Sequence, residues 1–269
     1  MGILKEVGLT EAQARKILAG RKRKPKILPI HITDKVFEFG VVSDTHLGST
    51  EEKLDELHTF YEICRKEGIK HVLHPGDLVA GTGLYRGQEN EIHVFGFQRQ
   101  GDYFVENFPK TEGIKTFFIL GNHDLVYWVK NGADIGAYIA ERRPDMVYLG
   151  HDEADVNFGG VRIRLYHPGG GTAYALSYRL QKYAEQIQPG KKPHIILQGH
   201  FHRSEYFFYR NIHCFDCGTF ESQTTFQRRK AIQPALGGWT IKLHLGDRKS
   251  PVVAISPTFI PFFEKGDGR

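Results

Sequence analysis

The chain has 269 residues, with 36 Lys or Arg against 31 Asp or Glu and a formal charge of +5. That length allows one generous domain or two small ones with a sizeable core, and the mild positive balance favours anionic partners without requiring nucleic acid. Three cysteines, Cys64, Cys214 and Cys217, are too few for a disulfide framework and suit a reducing, cytoplasmic compartment; no segment reads as a signal peptide or a membrane span.

Residues 9–19, LTEAQARKILA, read as a short helix with Thr10 as N-cap and Gly20 just beyond its end. RKRKPK follows at 21–26, either a clamp for a phosphate backbone or, as we read it, a solvated linker. Residues 1–30 are therefore expected to form a helical and basic arm, and residues 31–269 one domain.

From Val36 the pattern alternates between strand and helix. VFEFGVVS reads as a strand, and EEKLDELHTFYEICRKEG as an amphipathic helix carrying Leu54, Leu57, Tyr61 and Cys64 on one side. IKHVLHPGD is the next strand, a helical stretch falls around 89–107, and KTFFILGNHD follows as a strand. A helix near ADIGAYIAERRP, strands at MVYLG and VRIRLYH, a helix in TAYALSYRLQKYAEQI and a strand at HIILQGHFH complete the alternating part. HCFDCGTF, GWTIKLHL and PVVAISPTFI then read as strands alone. This order predicts an α/β domain with a largely parallel sheet, to which the tail adds antiparallel strands.

Polar residues recur at the ends of successive strands. Asp44 and His46 follow the first, Asp77 the second, Asn122 and His123 the third; His167 ends VRIRLYH, and His200 and His202 end HIILQGHFH. Positions two apart on extended chain project the same way, so Asp44 and His46 are expected to converge just past their strand. Ligands bind at the carboxyl ends of strands in open α/β sheets, and five such segments deliver carboxylate, amide and imidazole to one edge. Each alone could be a turn former, a cap or a buried histidine. Together they point to a metal site.

In order, the segments SDTHLG, PGD, GNHD, YHP and GHFH resemble the motifs of the calcineurin-like metallophosphoesterase superfamily, over residues 37–220. The resemblance implies two mixed β-sheets packed as a sandwich and flanked by helices, with a two-metal centre. By its pattern Asp44, His46, Asp77 and His202 hold one ion; Asp77, Asn122, His167 and His200 hold the other, so Asp77 is shared. A carboxylate has the two oxygens a bridge needs, and an amide adds an oxygen without charge. Oxygen and nitrogen donors without thiolate suit two divalent transition-metal ions, manganese first, with Fe, Zn, Ni or Co also compatible. Such a pair activates a bridging hydroxide as nucleophile, so no covalent Ser or Cys is required. The resemblance also makes His123 the general acid, with Asp124 orienting it; binding phosphate is the other role open to His123, and capping the next helix the other role open to Asp124.

Other signals are weaker. Tyr85 and Arg86, on the glycine-rich loop after Asp77, are candidates for stacking on a base and reaching a phosphate, against a loop with no contact. Cys214 and Cys217 have zinc spacing but no second pair, so alternation in a strand is preferred. His74 is read as a core histidine before a second-shell one, and EYFFYR, at 205–210, as sheet rather than a nucleic-acid surface. The expected function is a phosphoesterase hydrolysing phosphodiester bonds, similar in SDTHLG and GNHD to the exonuclease branch that trims DNA. Alternatives are a phosphatase or phosphodiesterase of small nucleotides, and a non-catalytic metal-binding scaffold. The expected partner is a phosphoester substrate, DNA or a nucleotide; a membrane is not expected.

Overall fold

The structure, a computed structural model, describes residues 27–32, 34–247 and 251–263. The expected helix over 9–19 and the basic run over 21–26 lie outside the described residues. Two six-stranded sheets face each other. The first has the order β12 (Val252–Pro261), β11 (Gly237–Leu245), β2 (Val36–Val41), β3 (His71–His74), β4 (Lys115–Leu120), β5 (Met146–His151). From β2 to β5 its pairings are parallel, whereas β11 runs antiparallel to both neighbours. The second has the order β1 (Leu28–Ile30), β6 (Glu153–Phe158), β7 (Val161–Tyr166), β8 (Ile195–Gln198), β10 (Ile212–Cys217), β9 (Ser204–Tyr209), and mixes both kinds of pairing.

The helices cover the outer faces, and the strand sequences show why. Phe37, Phe39 and Val41 of β2, with Phe117 and Ile119 of β4, face a core shared with Ile163, Leu165, Leu197 and Phe215 of the other sheet. The intervening Phe118 and Leu120 face outward against α1 (Leu54–Lys66), α2 (Phe97–Asn107), α3 (Asn122–Asn131) and α4 (Ile135–Arg142). Strands buried on both faces need unbroken apolar runs, and KTFFIL and HIILQ are such runs. On the far side, α5 (Tyr178–Gln186) buries Leu180 and Ala184 against Ile196, Ile212 and Cys214. Helix α1 turns Leu57, Phe60, Tyr61 and Cys64 to the sheet, with Asp55 and Glu56 in its first turn and Arg65 and Lys66 in its last, as the helix dipole favours.

Several details depart from the sequence reading. Strand β1 belongs to the sheet, although residues 28–30 fall within the expected arm: Leu28–Ile30 pairs in parallel with Val156–Phe158. The strand β6 was not expected, because EADVNF is too polar to read as buried. Its charges are matched across the register: Arg164 holds Asp155 at 2.7 Å and Glu153 at 3.1 Å. Helix α3 begins inside the GNHD segment, and α5 is shorter than the stretch expected for it. Cys214 and Cys217 are buried, free and in different layers, so CFDC is strand alternation rather than a shared site. In the edge strand β9 Tyr206, Phe207 and Tyr209 pack on the two cores while Phe208 is exposed.

Phe39 has no exposed surface and packs beside the stacked pair of Phe37 and Phe158, with ring centroids 5.8 and 6.1 Å away. Phe39→Ala is expected to cost about 3–5 kcal/mol in equilibrium urea unfolding, through lost burial and the cavity left between the sheets. A loss below about 1 kcal/mol would contradict its place in a close-packed core.

Candidate metal centre

Each chemistry-bearing segment leaves its strand at the same edge of the sandwich. Asp44 and His46 follow β2, Asp77 follows β3, Asn122 and His123 open α3 after β4, His167 follows β7, and His200 and His202 follow β8. Alternation of extended chain is not what makes them converge. The backbone enters the left-handed region at Asp44 (φ 50°), His46 (43°), Asp77 (57°), His200 (83°) and His202 (53°). Such conformations cost on the order of 1–3 kcal/mol each in non-glycine residues and persist only where the surroundings enforce them. Here the turns are tied together: Asp44 N–H donates to the Gly76 carbonyl at 3.1 Å, His46 N–H to Asp77 at 3.2 Å, and Thr219 Oγ1 to Asp44 at 2.8 Å. Glycine permits the closest approach. A Cβ on Gly121 would stand 2.3 Å from Asp77 Oδ1 and 2.6 Å from the His167 ring.

The result is two adjoining clusters, linked by a third grouping of His46, Asp77 and His123. Asp44, His46 and His202 form one and Asp77, His167 and His200 the other; within each, one donor atom per residue lies within 4.8 Å of the rest. His46 Nε2 and His202 Nε2 are 3.0 Å apart, and His202 Nε2 is 3.4 Å from Asp44 Oδ1. Asp77 reaches both clusters through Oδ2, at 3.2 Å from His167 Nε2 and 3.9 Å from His46 Nε2. Asn122 joins the second through Oδ1, 3.1 Å from His167 Nε2. Backbone carbonyls select the free ring nitrogen: His167 Nδ1–H donates to Pro75 at 2.7 Å, leaving Nε2, and His200 Nε2–H donates to Gly170 at 2.7 Å, leaving Nδ1.

Burial opposes charge on both carboxylates. For Asp44 the hydrogen-bonded His202, with the charges of His202 and His167, outweighs burial and holds the carboxyl at about 2. At Asp77 burial is likewise outweighed, chiefly by His167 and His123, and the carboxyl falls well below its ordinary range. Burial and the neighbouring His123 push His46 well below an ordinary imidazole, which favours the neutral form a metal ligand requires. No Lys or Arg pairs with Asp44 or Asp77 among the described residues, and His46 Nδ1 is buried without a partner. Two anionic carboxylates, an amide oxygen and four imidazoles facing one another at contact distance are the donors that divalent transition-metal ions take; the residues fit such ions.

His123 and Asp124 separate. The His123 Nδ1–H donates to the Ala80 carbonyl at 2.6 Å, so Ala80 orients the ring and Nε2 is left free. Asp124 does not hold His123. Its carboxylate accepts backbone N–H groups from Leu78 (3.0 Å), Val79 (3.0 Å) and Gly121 (2.9 Å), capping α3 and clamping the turn after Asp77 onto it. The reason is local: as the third residue of α3 it faces back to the helix start, where orphan N–H donors cluster.

A cavity of about 560 Å³ opens over the centre, walled by His123 and by apolar side chains including Leu84, Ile92 and Phe201. Tyr85 lines it, its hydroxyl donating to Glu91 at 2.6 Å and its ring stacked on Phe226 at 4.4 Å. Arg86 does not: with Tyr85 anchored inward, the next residue faces solvent. Sequence reasoning missed Glu221, a buried carboxyl whose Oε2 is 4.0 Å from both His46 Nε2 and His202 Nδ1; burial raises it to about 7. It also missed Gln227, on the short helix α6 (Thr225–Arg229), whose amide nitrogen is 3.0 Å from His202 Nδ1. Neither has a local signal, since both reach the site only through tertiary folding. His74 is buried, 3.1 Å from Thr45 Oγ1 and outside both clusters, and burial lowers it to about 4.

Two helix-flanked mixed sheets with this edge of histidines and carboxylates define a metallophosphoesterase class of fold. Residues 37–232 match the calcineurin-like phosphoesterase superfamily domain, and the chain belongs to that superfamily. Among curated proteins it is similar to the DNA polymerase II small subunits of Methanothermobacter thermautotrophicus and Archaeoglobus fulgidus. Identity to the first is 24%, covering 84% of this chain and 56% of the relative; to the second it is 26%, covering 76% and 51%. The chain thus spans about half the length of the curated relatives it matches. A solved structure described as a novel archaeal phosphodiesterase aligns over 83% of this chain and 100% of its own, at 13% identity and a TM-score of 0.48. Among the described residues no helix is long and apolar enough to cross a membrane.

Asp124→Ala would leave three backbone N–H groups buried without an acceptor, at about 1–3 kcal/mol each. Equilibrium denaturation is expected to show at least about 3 kcal/mol lost, and less for Asp124→Asn, which keeps one oxygen. Equal stability of Asp124→Ala and the parent chain would show that the clamp carries no weight.

Proposed function

We propose that the chain is a metal-dependent phosphodiesterase acting on DNA. What carries this reading is the convergence of seven oxygen and nitrogen donors from five strand ends, with the free Nε2 of His123 at the rim of the same cavity. In it Asp44, His46, Asp77 and His202 hold one divalent ion, and Asp77, Asn122, His167 and His200 hold a second, with manganese the first choice among Mn, Fe, Zn, Ni and Co. When bound, the ions supply an activated water at neutral pH and positive charge for the phosphate oxygens.

The chain's own residues do the rest. Pro75 and Gly170 fix the tautomers of His167 and His200, so their donor nitrogens are presented without reorganisation. The apolar wall around Leu84, Ile92 and Phe201 limits water about the phosphate. His123, held at Nδ1 by Ala80, gives a proton from Nε2 to the leaving oxygen, which a sugar alkoxide requires. DNA as substrate is supported by the net charge of +5 and by the similarity to polymerase subunits. A second reading also has support: those relatives are named as subunits and not as hydrolases, so the chain could serve a larger assembly as a non-catalytic metal-binding scaffold. Small nucleotides are the alternative substrate, for which a cavity of about 560 Å³ is sufficient.

The test is hydrolysis of single-stranded DNA and of bis-p-nitrophenyl phosphate by chelator-stripped protein with Mn²⁺ restored. Both activities are expected to need the metal. His123→Ala is expected to slow DNA cleavage by roughly 10²–10⁴-fold while largely sparing the p-nitrophenyl ester, whose leaving group needs no proton. Equal losses on both substrates would remove His123 from the acid role. Cleavage of the small ester alone would favour small nucleotides, and inert metal-loaded protein would favour the scaffold.

A further inference from the structure

A second cavity, of about 540 Å³, adjoins the first and shares Thr172, Lys230 and Ile232 with it. Tyr174, Leu176, Arg203 and Gln233 complete its character, and no carboxylate lines it. Lys230, exposed where α6 ends, makes no hydrogen bond or ion pair through its ammonium among the described residues. The loop over 168–177 is fastened at three carbonyls: Gly169 accepts from Arg179 at 2.7 Å, Gly170 from His200 at 2.7 Å and Ala173 from Arg203 at 3.0 Å. Between these ties and α5, the Tyr174 side chain is fully exposed.

A tethered backbone presenting an unpacked aromatic ring beside the Lys230 ammonium and the Arg203 guanidinium, in a groove that no carboxylate lines, is suited to a polyanion that also carries flat faces. Single-stranded nucleic acid meets both requirements. Its backbone follows cations and its bases stack on aromatic rings, whereas a duplex keeps its bases stacked inside. We propose that this groove carries the single strand adjoining the scissile phosphate, with a base on Tyr174 and a backbone phosphate between Lys230 and Arg203. The two cavities then hold successive nucleotides. The proposal rests on the phosphodiesterase reading above and adds to it the path and the strandedness of the substrate.

The test is fluorescence anisotropy with the full chain, Mn²⁺ restored, and a labelled phosphorothioate thymidine hexamer that resists cleavage. Tyr174→Ala is expected to weaken binding roughly tenfold, within the range of one lost base stack, and Tyr174→Phe to restore it. Lys230→Ala is expected to lower the slope of log affinity against log salt by about 0.7, the value for one single-strand phosphate contact. In parallel, kcat/KM for single-stranded DNA relative to bis-p-nitrophenyl phosphate is expected to fall with Tyr174→Ala. Unchanged affinity in both alanine variants, or a duplex binding as tightly as the single strand, would overturn the proposal. Should the protein hydrolyse no phosphodiester, the functional reading fails while the anisotropy still decides the groove.

Discussion

Asp44 and Asp77 are buried to 0% and 1% exposure, and no Lys or Arg pairs with either among the described residues. Removing a carboxylate from water costs several kcal/mol unless charge or hydrogen bonds replace the hydration. The surrounding structure meets that need: His200 N–H donates to Asp44 and His123 N–H to Asp77, and four imidazoles turn nitrogen toward the pair. Five left-handed residues and a glycine too close to the site for any Cβ bring these groups in. A scaffold that tolerates this strain must be stiff, and two sheets sharing one aromatic and aliphatic core, each backed by helices, provide that stiffness.

Legibility in the sequence followed the range of the interaction. Strands buried on both faces announce themselves as apolar runs, so KTFFIL and HIILQ could be read directly, and α1 could be read from the spacing of Leu57, Tyr61 and Cys64. The seven donors were visible because each follows a strand in a recognisable short segment. Strand β6 was hidden because its charges are satisfied by a partner strand, which periodicity within one segment does not register. Glu221 and Gln227 were hidden for the same reason at longer range: they meet His46 and His202 only after the chain has folded back across the sheet. Residue type gave the right convergence at Asp44 and His46, but the geometry behind it is left-handed backbone rather than extended alternation.

Asp124 and His123 show how neighbouring residues take separate tasks. At the start of α3, one faces back to the orphan N–H groups of the turn after Asp77, and the next one back along the chain points its ring to the Ala80 carbonyl at the cavity rim. The clamp made by Asp124 therefore fixes the backbone that carries Asp77, while His123 spends only Nδ1 on the Ala80 carbonyl. The loop after Asp77 repeats the division, with Tyr85 anchored inside the cavity and Arg86 in solvent.

Central to the proposed function is a single two-ion centre to which Asp77, within reach of both clusters, would contribute on both sides. Calorimetric titration of the chelator-stripped chain with Mn²⁺ tests it most directly. The account predicts two ions bound per chain, and weakened binding of both in Asp77→Asn, since Asp77 contacts both clusters. No uptake, or a binding isotherm unchanged by Asp77→Asn, would contradict it.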